Sequence, residues 1–257
     1  MEGISIVVTV LNEEKNIRDL MVSLIPQEQP FEVIVVDSMS FDKTQDIMNE
    51  YSAKYDFIKY YRERTTRGAG RNYGVSKSKY NYVAFIDGDA IAGENWIRNL
   101  RAYTGYYDVV AGITRNTGNM NYSMERFKLF YKGFDVTMPS SNLMYSRDLF
   151  NKIGGFDSHF VTAEDIDLNI RAISQGARHA VCKNCIVYTK TRETFRDFRK
   201  QAYWNGYGRW QLKEKYSNKI DFKHHLTAKE LFSPVYMVRN FYGLRGYMHG
   251  RFGRKKG

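Results

Sequence analysis

Several short stretches of this chain set acidic, basic and small residues in spacings that could do chemistry. Asp87-Gly88-Asp89 puts two carboxylates one small residue apart. Hard oxygen ligands so spaced suit Mg²⁺ or Mn²⁺, and the glycine between them would let a diphosphate come close. The same triplet also makes ordinary turns, so its place relative to a strand must decide between the two readings. Asp37, in Val36-Asp37-Ser38-Met39-Ser40-Phe41-Asp42-Lys43-Thr44, could accept the imide N–H of a uracil or the equivalent donors of guanine. Asp42, with Gln45 three residues on, is the capping candidate there, which leaves Asp37 without an evident local role. Thr162-Ala163-Glu164-Asp165-Ile166-Asp167-Leu168 gathers three carboxylates at a helix start. The helix dipole alone favours acids in a first turn. The functional reading makes Asp165 a general base, kept ionised by the helix terminus and a nearby cation.

Arg67-Gly68-Ala69-Gly70-Arg71-Asn72-Tyr73-Gly74 lacks the Lys-Ser or Lys-Thr of a Walker loop and the spacing of a dinucleotide fingerprint. What remains is a small-residue helix start carrying arginines, able to approach a nucleotide diphosphate or simply to be solvated.

The elements that must position these residues can be read from periodicity. Ile4–Val10, residues 33–36, 57–61 and 82–86 are short apolar runs, as expected for strands buried on both faces. Ile17, Leu20, Met21 and Leu24 follow the first at helical spacing until Pro26, and Thr44, Ile47, Met48 and Tyr51 follow the second. A third helix is expected from Gly68 to Lys79. Strands alternating with helices imply βαβ units and a parallel sheet, with ligands outside the carboxyl ends of the strands. Thr9, Asn12, Glu13, Asp37, Asp87 and Asp89 all fall at such ends. Beyond residue 105 the texture is mixed, with strands expected at 108–114, 142–145 and 177–187, a Gly154-Gly155 turn and a helix from Glu164 to Gln175. A long polar helix is expected from Thr194 to Tyr216. Two short helices then close the chain, one at Thr227-Ala228-Lys229-Glu230 and one at Ser233-Pro234.

With 43% hydrophobic and 26% charged residues, the 257-residue chain has globular composition, which excludes disorder and collagen. No run reaches the ~18 apolar residues of a bilayer span, and the strand pattern begins at Ile4 without a basic leader. The expectation is an unsecreted, cytoplasmic chain. Cys182 and Cys185 cannot make a disulfide framework or a complete zinc site, and are expected to be buried strand residues. Of the net charge of +11, residues 1–195 contribute nothing, with 24 of each sign. Residues 196–257 carry 15 basic against 4 acidic residues, so the excess marks a basic appendage facing something anionic.

Taken in order, V-T-V-L-N-E-E, V-V-D-S-M-S-F-D-K-T, R-G-A-G-R-N-Y-G, F-I-D-G-D-A, I-G-G-F-D and T-A-E-D-I-D-L resemble glycosyltransferase family 2 over Ser5 to about Gln211. The resemblance implies a GT-A fold: an α/β architecture with a Rossmann-like, mixed but mostly parallel sheet flanked by helices. Residues 1–215 would form the catalytic domain, with a nucleotide-sugar half to about 105 and an acceptor half after it, and 216–257 a basic helical extension. It implies an inverting transfer from a nucleotide-sugar, UDP-linked in preference to GDP-linked. Thr9, Val10, Asn12, Glu13 and Asp37 would embrace the base and ribose. Arg67, Arg71, Asp87 and Gly88 would support the nucleotide and its phosphates, and Asp87 and Asp89 would hold Mg²⁺ or Mn²⁺. Asp165, with Glu164 beside it, would deprotonate the acceptor hydroxyl. Ser141, Asn142, Trp204 and Arg209 would meet the acceptor, a glycan or a lipid-linked saccharide.

Two departures stand out. Many relatives have Asp-Asp-Gly-Ser where this chain has Asp37-Ser38-Met39-Ser40, and many have a histidine, sometimes a third metal ligand, where Val187-Tyr188-Thr189-Lys190 stands. The segment from Gln201 to Trp210, Q-A-Y-W-N-G-Y-G-R-W, is similar to the Gln-x-x-Arg-Trp element of processive members but lacks the arginine before Trp204, which favours single sugar addition. Basic residues interleaved with aromatics after residue 235 suit an anionic membrane surface, peripheral on the cytoplasmic face, although four glycines between 243 and 253 weaken any regular helix there. A sugar nucleotidyltransferase would need a glycine-rich loop where Leu11-Asn12-Glu13-Glu14 stands. A nucleic-acid-binding module would leave the strand-end carboxylates unexplained, so no nucleic acid partner is expected.

Overall fold

The computed structural model describes residues 1–117, 128–190, 194–216 and 234–253. Its centre is an eight-stranded mixed sheet in the order β3-β2-β1-β4-β9-β6-β10-β5. The strands are β1 Ile4–Val10, β2 Phe31–Asp37, β3 Ile58–Arg62, β4 Tyr82–Asp87, β5 Ala90–Ala92, β6 Val109–Thr117, β9 Leu143–Ser146 and β10 His179–Lys190. A separate two-stranded ribbon pairs β7 Phe130–Tyr131 with β8 Phe134–Asp135. The helices are α1 Ile17–Leu24, α2 Thr44–Lys54, α3 Arg67–Ser76, α4 Trp96–Arg101, α5 Arg147–Lys152, α6 Glu164–Ser174, α7 Phe195–Tyr216 and α8 Pro234–Gly253. The first four expected strands form a parallel half, β3-β2-β1-β4. β9 then runs antiparallel between β4 and β6.

The unbroken apolar runs arise because helices cover both faces. Ile4, Ile6, Val8 and Val10 of β1 point to one side, against Leu20, Met48 and Trp96 of α1, α2 and α4. Val7 points to the other, with Val75 of α3, Phe150 of α5 and Leu168 and Ile173 of α6. Leu212 and Tyr216 extend that second layer from α7. Because Cβ directions alternate along a strand, two cores grow from one run.

Two expectations are corrected here. Cys182 and Cys185 are buried in β10 as expected, but they are also bonded to one another. Residues three apart in a regular strand face opposite ways, and the register shift between Val181 and Ile186 is what turns both sulfurs to one side. The glycines after 242 do not break α8, which runs unbroken from Pro234 to Gly253. They let it lie unusually close to α7: a Cβ at Gly246 would fall 1.9 Å from the Tyr203 carbonyl oxygen, and one at Gly250 2.3 Å from the Trp210 ring. Close main-chain approach is combined there with side-chain packing, His249 of α8 lying against Tyr203 and Tyr207 of α7. The ending is therefore one long helix after Ser233, not a short one. The Thr227–Glu230 cap lies outside the described residues.

Candidate active site

The carboxyl ends of β1 and β2 are laced together. Asn12 adopts a left-handed backbone, donates its N–H to Ser40 Oγ at 2.8 Å and accepts from Phe41 N at 3.0 Å. Glu13 N donates to Thr44 Oγ1, and Glu14 N to the Asp42 carboxylate. Asp42 also accepts from Thr44 N and Thr44 Oγ1 in the turn ahead of α2, but it is not the expected cap: the N-cap position falls on Lys43, and Gln45 accepts from Arg62. Thr9 and Val10 close β1 beneath this loop, with Ser38 N donating to the Val10 carbonyl.

Asp37, which has no evident local role in the sequence, is the buried keystone of the β2 end. It is 0% exposed; one oxygen accepts from Ser40 N and Ser40 Oγ, both at 2.7 Å, and the other from the Tyr60 hydroxyl at 2.5 Å. The Arg62 guanidinium stands 3.7 Å away. Tyr60 pays for this contact, since burial and the Asp37 carboxylate push its pKa up. Asp37 thus ties the end of β2 to Tyr60 and Arg62 of β3, and it reaches a base only where one of these donors gives way. Ser40, Tyr60 and Arg62 escaped the sequence reading because nothing in their local spacing marks them.

The Asp87-Gly88-Asp89 turn follows β4, as expected of a strand-end site. Its glycine also has close neighbours within the chain. A Cβ at Gly88 would meet Val10 Cγ1 at 2.7 Å and Glu13 Cγ at 3.2 Å, so the glycine brings the acidic turn against the end of β1. Glu13 feels the crowding: burial raises its pKa, and Asp89, Asp87 and Asp42 add to the effect.

Arg71 also departs from expectation. It is only 2% exposed, and its guanidinium bridges a strand-end acid and a helix-start acid, donating to Asp87 Oδ1 and Glu164 Oε1 at 2.8 Å each. The Phe156 ring of the I-G-G-F-D turn lies 5.3 Å from its Cζ. Enclosed in this way, Arg71 joins the acidic turn to the Glu-Asp helix from beneath and presents no free face to a phosphate. The glycines of α3 make the approach possible: a Cβ at Gly74 would strike Val7 of β1 at 2.5 Å, and one at Gly70 would meet Thr9 at 3.1 Å. Asn72 fastens the same helix to Phe156 through both its amide atoms, at 2.8 Å each. Arg67 at the exposed start of α3 is the cation turned towards the acids. Asp87 chiefly, then Glu164, Asp165 and Asp89, hold its pKa up.

Asp165 follows Glu164 at the start of α6, after Ala163 in a left-handed conformation. Its carboxylate accepts from Ser140 N at 3.2 Å and Ile166 N at 2.8 Å. Burial and the Glu164 charge nevertheless outweigh Arg71 and these N–H donors, and push its pKa up to about 6. The helix terminus expected to favour the charged form is thus outweighed by burial and the Glu164 charge, although a pKa near 6 still leaves the carboxyl ionised at neutral pH. Ser140, in the 3₁₀ turn Ser140–Asn142, is a contact the sequence reading missed in favour of its neighbours.

Of the expected acceptor residues, Ser141 is buried in that same turn. Asn142 is corrected to a structural residue. It is 1% exposed, accepts from the Trp96 indole at 2.9 Å and donates to the carbonyls of Ile113 and Cys185. Trp204 and Arg209 lie on α7, Trp204 half-buried edge-on between Tyr203 and Tyr207. α7 comes close to the site, because a Cβ at Gly208 would fall 2.9 Å from Thr162 Cγ2 and 3.0 Å from Ala163 Cβ, just ahead of α6. Burial and Arg239 lower the pKa of Arg209.

Among the described residues no group of three His, Cys, Asp or Glu side chains forms a ready metal site. The residues do fit a cation that takes its remaining ligands from a substrate diphosphate. Asp87 and Asp89 supply hard oxygens, and the mutual repulsion felt at Glu13 is what a cation would relieve. The stretch where a histidine was missed lies alongside, with Thr189 paired to Ala90, the residue after Asp89.

A mostly parallel half-sheet ending in laced acidic loops, joined under its rim to an acidic helix start from the mixed half, is a GT-A fold. The family model described as Glycosyl transferase family 2 matches residues 5–164, and the chain belongs to that family. The match stops one residue short of Asp165. The chain is 29% identical over 191 residues to glycosyltransferase AglE of Haloferax volcanii, covering 67% of this chain and 62% of that one. It is 28% identical over 238 residues to the probable glycosyltransferase YdaM of Bacillus subtilis, covering 83% of this chain and 55% of that one. It therefore spans little more than half the length of these relatives. Among solved structures, S. aureus TarS 1-349 in complex with UDP superposes with a TM-score of 0.64 at 19% identity, covering 100% of this chain and 93% of that one. The mannosyltransferase PcManGT of Pyrobaculum calidifontis, in complex with GDP-Man and Mn²⁺, gives 0.67 at 15% identity, covering 96% and 72%. At those identities the likeness is one of fold.

Proposed function

We propose that this chain is an inverting transferase that moves one sugar from a UDP- or GDP-linked donor, UDP favoured, to a hydroxyl of a glycan or lipid-linked acceptor. The observation that carries the reading is the buried Arg71 bridge. It ties Asp87 of the acidic turn to Glu164, the neighbour of Asp165, so the donor side and the base side share one ion-paired seam. The donor range is supported by structural neighbours that hold UDP and GDP-Man. The lipid-linked option is supported by a Methanococcus voltae relative, 24% identical over 231 residues, whose name specifies a dolichyl phosphate-linked acceptor.

In this reading the ends of β1 and β2, Thr9 to Glu13 with Ser40 above Asp37, receive base and ribose, and Arg67 faces the diphosphate. Asp87 and Asp89 would hold Mg²⁺ or Mn²⁺, which when bound neutralises charge on the leaving diphosphate. Asp165 takes the acceptor hydroxyl proton as that oxygen forms its bond to the anomeric carbon. The bond from that carbon to the diphosphate oxygen breaks on the opposite face, and the nucleoside diphosphate leaves with both electrons, so configuration inverts. A carboxyl with a pKa near 6 is suited to this work, because it is ionised at neutral pH yet more basic than an exposed aspartate. The missing arginine before Trp204 favours one transfer per encounter.

Thermal melting in UDP or GDP, with Mn²⁺ or Mg²⁺ and again with chelator, tests the donor half of the proposal. A metal-dependent rise with at least one nucleotide is expected, reduced in Asp89→Asn. No rise with either nucleotide, together with stabilisation by oligonucleotides, would overturn it.

A further inference from the structure

We infer that α8 is a docking face for an anionic lipid surface, presented on the far side of the helix from its seam with α7. Met237, Phe241, Leu244, Met248 and Phe252 are each 43–61% exposed. Their spacing of four, three, four and four residues gathers them within about 80° of the helix circumference. Gly243, Gly246 and Gly250 lie roughly opposite, and Gly246 and Gly250 are buried against α7. The apolar stripe is therefore not the inner face of the hairpin but the outer one.

The charge pattern selects the occupant. α8 has no acidic residue in its twenty positions, and exposed Arg245 and Arg251 flank the stripe on its two sides. A second copy of this chain pairing along the same stripe would bring arginines together with no acid on α8 to meet them. A nucleic acid would reward the arginines but leave Met237, Leu244 and Met248 in water, because phosphate offers them nothing. An anionic bilayer meets both demands, burying apolar side chains at the headgroup boundary while phosphates receive the flanking arginines. No described helix is long and apolar enough to cross a membrane, so the arrangement lies on the surface. α7 connects this face to the acidic site, since Gly208 packs on Thr162 and Ala163 immediately before α6. The inference stands whether or not the proposed transfer is correct, although a lipid-linked acceptor would be delivered to the same side of the molecule.

The test is co-sedimentation of the whole chain with extruded vesicles of phosphatidylcholine alone or mixed with phosphatidylglycerol, at low and high salt. Binding is expected only with phosphatidylglycerol, weakened by salt. It should fall at least tenfold in Arg245→Glu/Arg251→Glu and in Phe241→Ser/Leu244→Ser/Met248→Ser, with the melting temperature unchanged in both. Equal binding by wild type and variants overturns the inference. So does a serine variant that melts lower, which would mean the stripe is covered within the molecule, or one that turns a dimer into a monomer in sedimentation velocity. Stabilisation by UDP or GDP with Mn²⁺, measured on the same samples, reports the donor site separately: its absence with both nucleotides in wild type would count against the transferase reading and leave the lipid result standing.

Discussion

The chemistry of Asp165 depends on a balance that its own residue type does not determine. Two backbone N–H groups and Arg71 favour its charge, whereas burial and the adjacent Glu164 oppose it more strongly and set its pKa near 6. The transfer rate should therefore fall as the pH drops through about 6, where the base becomes protonated. Asp165→Asn should lose about 10²- to 10⁴-fold in turnover with donor binding nearly intact, measured by single-turnover assay and UDP titration. Stability should move the other way. A carboxyl whose folded pKa lies above its unfolded 3.8 costs nothing while protonated in both states, and its penalty grows as pH rises from about 4 to 6. Metal-free Asp165→Asn should thus melt higher than wild type at pH 7.5 and show little difference at pH 4. The reverse pattern in a pH series of melts would contradict the assigned environment.

Elements meet in this protein wherever a side chain is missing or a charge is shared. α3 reaches β1 because Gly70 and Gly74 have no Cβ, and from that position Arg71 spans to β4 and α6. Arg71→Met should leave Glu164 buried without its cation and destabilise the fold by about 3 kcal/mol, read by urea unfolding. Arg71→Lys, with a point charge in place of a planar fork, should recover only part of that loss. At the α7–α8 seam, Gly246→Leu would drive a side chain into the Tyr203 carbonyl and force the helices apart. It should lower the melting temperature through overpacking of about 1–3 kcal/mol while UDP-induced stabilisation persists, because the acidic site lies at the sheet rim. A stripe of glycines in a twenty-residue helix is costly by propensity, and here it is the condition for contact.

At the scale of the molecule, the charge asymmetry becomes a division of labour. The sheet and its flanking helices carry balanced charge and the acidic rim, whereas the excess of basic residues lies in 196–257, much of it on α7 and α8. Asp167 locks the two regions together: fully buried, it accepts from the Tyr216 hydroxyl at 2.6 Å and pairs with Lys215, both from α7, and with Arg171 on its own helix. The third acid of the Glu-Asp-Ile-Asp cluster is thus an anchor for α7, not a further catalytic group. Melting and vesicle binding should accordingly respond to different substitutions, the first to the Asp167 and Arg71 pairs and the second to the outer face of α8.

Sequence alone determined the order of strands and helices in the parallel half, the strand-end address of Asp37, Asp87 and Asp89, and the Glu-Asp helix start. Those features are local: a two-sided apolar run, a helical period and a turn residue each act over a few positions along the chain. Only the tertiary structure decided that Arg71 is sealed between acids, that Asn142 is spent on Trp96 and two carbonyls, that Cys182 and Cys185 meet across a bulge, and that glycines build a helix seam. Each of these depends on which distant segments share a neighbourhood, and such proximity leaves no periodic trace in a single sequence.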